Sequence, residues 1–232
     1  MVSIIAYAKP GKNLYYEKVV GTFFGYHCMR ANVNMAYLND KVYTSPDIDM
    51  IFSPAEYDEF RQLDAPSGFQ LAVGSLNLNE KLYIHEIDHR TDLAKYPMEH
   101  AVSGNAKQYR MVGGMLNDCY ETEFEGVMVL RRELALTMQN GNALWWFDFF
   151  GNYYASPTYE NEIKNAVNIM NKIYTNGRNR KSIAEVAFIV DNRSFKYMHE
   201  GNDIKWNLIR YNHYNLGKAG IIHDIYNVED IE

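Results

Sequence analysis

Four short, nearly unbroken apolar runs constrain this chain more than any other feature: Lys18–Phe24, Asp49–Phe52, Lys81–His85 and Ala143–Phe147. A strand that is apolar at successive positions has no polar face to give to water. It must be covered on both sides, as in a parallel sheet flanked by helices. Helix signals fall between the runs. Ser53-Pro54-Ala55-Glu56 reads as a capping box with proline at the first helical position, and Thr122-Glu123-Phe124-Glu125 as a second capping box. The second opens a helix through Leu136 or Met138, stopped by Asn140-Gly141. Another helix starts at Ser156-Pro157, carries Ile163, Val167, Met170 and Tyr174 on one face, and ends at Asn176-Gly177. Strands alternating with helices place the chain in the α/β class.

The stretch Thr175–Ser182 is polar and basic and reads as a boundary. Beyond it, Glu185–Asp191 is a strand, Asp203–Leu216 a helix with Ile204, Leu208 and Tyr211 on one face, and Gly220–Tyr226 a short strand. This β-α-β pattern reads as the opening of a flavodoxin-like doubly wound domain, truncated at Glu232. Two domains are therefore expected, residues 1–176 and 183–232.

Composition narrows the function classes. With 232 residues, 47% apolar and 22% charged, the chain is neither a disordered segment nor a small disulfide scaffold. Lys+Arg 23 against Asp+Glu 29 gives a net charge of −6, which argues against electrostatic capture of nucleic acid or of an anionic membrane. Cys28 and Cys119 have no metal-ligand spacing, and there is no GxGxxG, GxxxxGK[ST] or HExxH, so no metal or other cofactor is expected. No run reaches the ~20 apolar residues of a membrane span. Met1–Ala8 lacks the basic start of a signal peptide, which points to a cytoplasmic protein. The aromatic content of 14%, with 19 tyrosines, offers rings on which the apolar C–H faces of a sugar can stack; the same tyrosines also suit core edges and subunit interfaces.

In parallel α/β sheets, reactive groups gather just beyond the carboxyl ends of strands. The first strand runs into Gly25-Tyr26-His27, the second into Ser53, and the fourth into Asp148. The third end, Glu86-Ile87-Asp88-His89-Arg90-Thr91-Asp92, is the densest in charge. These residues resemble a known family. The run His85–Leu93, following Gly68-Phe69 and Lys81-Leu82-Tyr83, together with Gly141-Asn142-Ala143-Leu144-Trp145-Trp146-Phe147-Asp148, resembles the C-terminal half of a clan A glycoside hydrolase barrel, in particular relatives of the family 42 β-galactosidases. The segment from Ser182 onward resembles the start of the β-galactosidase trimerisation domain.

The resemblance implies a partial (β/α) TIM-type barrel, strands five to eight, followed by the truncated flavodoxin-like β-α-β unit. It implies that Glu86 is the catalytic nucleophile of a retaining glycosidase, a carboxylate that attacks the anomeric carbon while a second one protonates the leaving oxygen. Asp88 and Arg90 would orient Glu86 or a sugar hydroxyl. Trp145 and Trp146 would form the sugar platform, Asp148 would accept hydroxyl hydrogen bonds, and Tyr26 and His27 would line the opposite wall. Alternation along a buried strand points one of the two tryptophans inward and the other outward. The family's acid/base glutamate follows an asparagine after strand four, ahead of these residues. Asn79-Glu80 precedes its strand and Asn161-Glu162 lies inside a helix. Three outcomes remain open: a glycosidase-like chain that lacks its acid/base, a non-catalytic carbohydrate-binding or oligomeric scaffold protein, and a chain completed by homo-oligomerisation or by a complementing polypeptide.

Overall fold

The computed structural model describes residues 4–9, 17–24, 36–94, 120–148, 152–175, 181–199, 204 and 206–231. The chain is α/β and divides into two compact units, one of Met1–Pro54, Phe69–His85 and Ser182–Glu232, the other of Ala55–Gly68 and Glu86–Lys181. Among the described residues, no helix is long and apolar enough to cross a membrane.

In the first unit, β1 (Ile4–Lys9) lies antiparallel to β2 (Glu17–Phe23), with Ile4 opposite Thr22. β2 is parallel to β3 (Met50–Pro54), with Gly21 opposite Met50, and β4 (Leu82–Ile87) follows β3. All five residues of β3 are buried, as its unbroken apolar run requires. Gly21 allows the close approach of β2 to β3: a Cβ there would lie 2.7 Å from both Met50 Cγ and Phe52 Cε2. Two short helices, α1 (Asn39–Tyr43) and α2 (Val73–Leu78), complete this part.

The expected helix start at Ser53-Pro54-Ala55-Glu56 is not formed. Ser53 and Pro54 end β3, and the chain stays extended to a 3₁₀ turn at Asp58–Arg61. A capping box needs the Ser53 hydroxyl to accept from the backbone and the Glu56 carboxylate to reach back. Here the Ser53 hydroxyl donates to the Pro54 carbonyl at 3.2 Å, and Glu56 Oε1 accepts from the Tyr57 N–H at 3.2 Å. Pairing of Ala55 N–H with the Glu86 carbonyl at 3.0 Å keeps the backbone extended.

The C-terminal segment forms β6 (Val186–Val190) and β7 (His223–Asn227), parallel from Val186 opposite His223 to Val190 opposite Asn227. The connecting helix α5 (Tyr211–Lys218) is preceded by a π-helical turn at Trp206–Arg210. The face expected from Ile204, Leu208 and Tyr211 points to solvent, while Ile209, Arg210 and His213 are buried. The wider π turn changes the angular spacing on which a 3.6-residue pattern relies. β7 docks on α2, where a Cβ on Gly74 would lie 2.7 Å from the Ile225 carbonyl, and Ser75 Oγ accepts from the Asn227 N–H at 2.7 Å. Asn192 donates to the Asn227 side-chain oxygen at 2.8 Å, tying β6 to β7 at their carboxyl ends.

The second unit contains α3 (Glu123–Gln139), β5 (Ala143–Trp146) and α4 (Pro157–Thr175). The Thr122/Glu125 capping box is present in both directions, and α3 gives way to Gly141 at φ 72°. Gly126 lets α4 approach α3: a Cβ there would fall 2.1 Å from the Tyr159 hydroxyl. Arg131 grips Glu162 with two hydrogen bonds, of 2.9 and 2.6 Å, between the same helices. The inward face of α4 runs through Tyr159, Ile163 and Ala166, whereas Val167, expected on that face, is 44% exposed.

Candidate functional site

The second unit collects the charged residues at the β4 exit. β4 alternates, so Tyr83, His85 and Ile87 share one face and Glu86 takes the other. Ile87 packs in an apolar cluster with Val127, Leu130 and Tyr159, and Trp146 packs against that cluster. The Phe147 N–H donates to the Ile87 carbonyl at 2.9 Å, which sets the Trp145–Asp148 run beside the Glu86–Asp88 exit. Trp146 is thus the inward ring. Trp145 alternates to the other side of β5, its ring centroid 5.2 Å from that of Phe147.

Glu86 is only 7% exposed. Burial pushes its carboxyl up to about 7, the negative charge of Asp88 adds to the rise, and the Arg61 cation opposes it. A group at that value holds its proton about half the time at neutral pH, so it can accept or donate one. Asp88 Oδ1 accepts from Arg61 Nη2 at 2.5 Å. Arg61 is itself held by the Glu56 and Ala55 carbonyls, at 3.0 and 3.3 Å, and stacks 4.1 Å over the Tyr57 ring. A planar guanidinium with five fixed donors suits this use, since it binds the carboxylate and the backbone together.

Arg90 is half-buried, and its guanidinium hydrogen-bonds the Tyr153 hydroxyl. The Arg90 carbonyl accepts from the Tyr120 N–H at 3.1 Å. Asp148 is exposed, and its two carboxylate oxygens accept from the Tyr153 N–H at 3.3 and 3.2 Å. The structure therefore brings Glu86, Asp88 and Arg90 to one strand exit, with Trp145 and Asp148 on the adjacent run. Tyr26 and His27 lie outside the described residues.

Sequence reasoning missed Arg61, which stands five residues from the nearest acid named in the Ser53–Glu56 motif and reaches Asp88 only through the fold. It also missed a second polar cluster. Glu133, fully buried in α3, accepts from the Ser67 hydroxyl at 2.7 Å and from Arg132 Nε at 3.1 Å, and lies 3.5 Å from His89 Nε2. The Tyr120 ring stacks on His89, and its hydroxyl donates to the Arg61 carbonyl at 2.8 Å. Nothing in the local pattern marks a glutamate in the middle of an amphipathic helix as buried. Glu133 ties α3 to the loop that carries Arg61.

Comparison with protein-family models, with curated proteins and with solved structures finds no match to this chain.

Proposed function

We propose that this protein is a glycoside hydrolase-like protein of the retaining β-glycosidase type, built on a partial (β/α) barrel with a flavodoxin-like β-α-β unit, and that Glu86 is its reacting carboxylate. The observation that carries this reading is a buried glutamate at a strand exit, with its carboxyl near 7, flanked by the Arg61–Asp88 pair. In ionised form a Glu86 oxygen attacks the anomeric carbon, a glycosyl–oxygen bond forms, and the bond to the leaving oxygen breaks with its electron pair. Arg90 donates to a sugar hydroxyl or to the Glu86 carboxylate, Asp88, held by Arg61, accepts from a sugar hydroxyl, Asp148 accepts hydroxyl hydrogen bonds, and Trp145 stacks on the ring. Tyr26 and His27 enter only through the family resemblance, as the facing wall. Trp146, packed on the apolar cluster, serves the platform by fixing β5.

One observation favours a second reading. Asp88, the acid nearest Glu86 in the chain, is committed to Arg61 and so supplies no proton to a leaving group. In this alternative the protein is a non-catalytic carbohydrate-binding or oligomeric scaffold protein, and the site holds a sugar without turnover. The exposed Ile204, Leu208 and Tyr211 offer an apolar face for a scaffold of that kind.

The test is intact mass after incubation with a panel of 2,4-dinitrophenyl glycosides, whose leaving group departs without a proton. The proposal expects a covalent sugar adduct on the natural chain and none on Glu86→Gln. No adduct with any glycoside, alongside measurable sugar binding, moves the non-catalytic reading ahead.

A further inference from the structure

We propose that Tyr154 is a positioning residue of the Glu86 site, clamping the exit of β4 through a single hydroxyl shared by two carbonyls. The inference rests on the reading of Glu86 given above, but its geometry stands independently. The Tyr154 hydroxyl lies 3.1 Å from the Ile87 carbonyl oxygen and 3.2 Å from that of His89, and donates to both. These two carbonyls bracket Asp88, and Ile87 is the residue between Glu86 and Asp88. One O–H therefore fixes the peptide group that leads into Asp88 and the one that follows His89, and so the stretch of backbone from which Asp88 projects just past Glu86. The ring is anchored behind the exit, edge-on to Tyr153 and to Tyr159, each at 6.3 Å.

A chain leaving a sheet normally loses its ladder of hydrogen bonds and gains freedom. Here the Phe147 N–H holds the Ile87 carbonyl from the side of β5, and Tyr154 extends the hold two residues further. Tyr154 is itself 9% exposed. Burial, with the charges of Asp88 and Asp148, raises its hydroxyl well above its ordinary value, so the proton that makes the clamp persists at any pH the site meets. Without it, the His89 carbonyl is released while the Phe147 N–H still holds Ile87, the turn that carries Asp88 gains freedom, the Arg61–Asp88 pair loosens, and water reaches Glu86. Burial is the largest influence on Glu86, so admitting water lowers its ionisation midpoint from about 7 toward the ordinary carboxylate range.

The test compares Tyr154→Phe with Tyr159→Phe, whose hydroxyl donates to Asp92 at 2.6 Å rather than to the strand exit. The Glu86 midpoint is followed by carboxyl carbon NMR, assigned by its loss in Glu86→Gln, and adduct formation is timed with the 2,4-dinitrophenyl glycoside that reacts. Tyr154→Phe is expected to lower the midpoint by at least about half a pH unit and to slow adduct formation about tenfold at its optimal pH, with both unchanged in Tyr159→Phe. An unchanged midpoint and rate in Tyr154→Phe, with only stability lost, overturns the clamp and leaves the functional reading intact. A shifted midpoint with no adduct from the natural chain overturns the functional reading and leaves the clamp intact. A natural-chain midpoint in the ordinary carboxylate range overturns both. If Tyr154→Phe does not fold, 3-fluorotyrosine at position 154 keeps the hydroxyl, and its fluorine signal is expected to follow the Glu86 titration near pH 7; a flat signal overturns the clamp.

Discussion

Replacing Glu86 with glutamine is expected to make the protein more stable at alkaline pH while removing its chemistry. The folded chain raises the Glu86 carboxyl from 4.5 to about 7, whereas in the unfolded chain it stays in the ordinary range. A raised acid binds its proton more tightly when folded. Its favourable contribution is complete below about pH 4.5 and is lost as pH rises through about 7. Above that, the folded state carries a buried negative charge next to Asp88. The difference between the two values corresponds to at most about 3 kcal/mol, and the residual contact of the carboxyl with water brings this to about 2 kcal/mol. Glutamine keeps the shape and cannot ionise. The natural chain and Glu86→Gln should differ little in urea midpoint at pH 5, and the variant should gain as pH rises to about 7 and level off above about 7.5, reaching about 2 kcal/mol, or roughly 4–8 °C in melting temperature for a chain of this size. Urea titrations at half-unit pH intervals read the effect. A difference that is flat across pH 5–8.5, or a variant less stable at the alkaline end, refutes the burial argument for Glu86.

Other substitutions probe the remaining parts of the site. Arg61→Met removes the cation that opposes the rise at Glu86 and leaves Asp88 without its guanidinium, so the pH profile of adduct formation should move to more alkaline values while stability falls by about 3 kcal/mol; a profile that stays in place or moves to acid contradicts this. Trp145→Ala should weaken sugar binding about tenfold by calorimetry with little loss of stability, whereas Trp146→Ala should cost about 3 kcal/mol in urea through lost packing. Equal effects of the two on binding would contradict the separation of a stacking ring from a core ring.

Much of the fold was legible because continuous burial leaves a continuous apolar run. β3 is buried at every residue, and the expected Asp49–Phe52 run falls within or beside it. The Thr122 box was legible because its groups are three residues apart and need no tertiary partner. The same motif failed at Ser53, where pairing of Ala55 with Glu86 holds the backbone extended and overrides the local preference. Periodicity also failed at the helix before β7. The π turn rotates the faces, so Leu208 and Tyr211 meet water and Arg210 is buried. At the site, the strand-end rule and the family resemblance led to Glu86, Asp88, Arg90 and Asp148 because each lies at or just past a strand. Arg61, Tyr154 and Glu133 escaped notice because their roles come from contacts 27 to 67 residues away in sequence. A hydroxyl that meets two carbonyls of a distant turn leaves no pattern in its own neighbourhood.

The central claim is that Glu86 is a buried carboxylate that reacts with an anomeric carbon. The most direct measurement is the rate of sugar-adduct formation from a 2,4-dinitrophenyl glycoside as a function of pH, with peptide mass spectrometry locating the adduct. The account predicts a rate that rises with pH through a midpoint of about 7, with the sugar on the peptide containing Glu86. An adduct on another residue, a rate independent of pH from 5 to 9, or no adduct at all would contradict it.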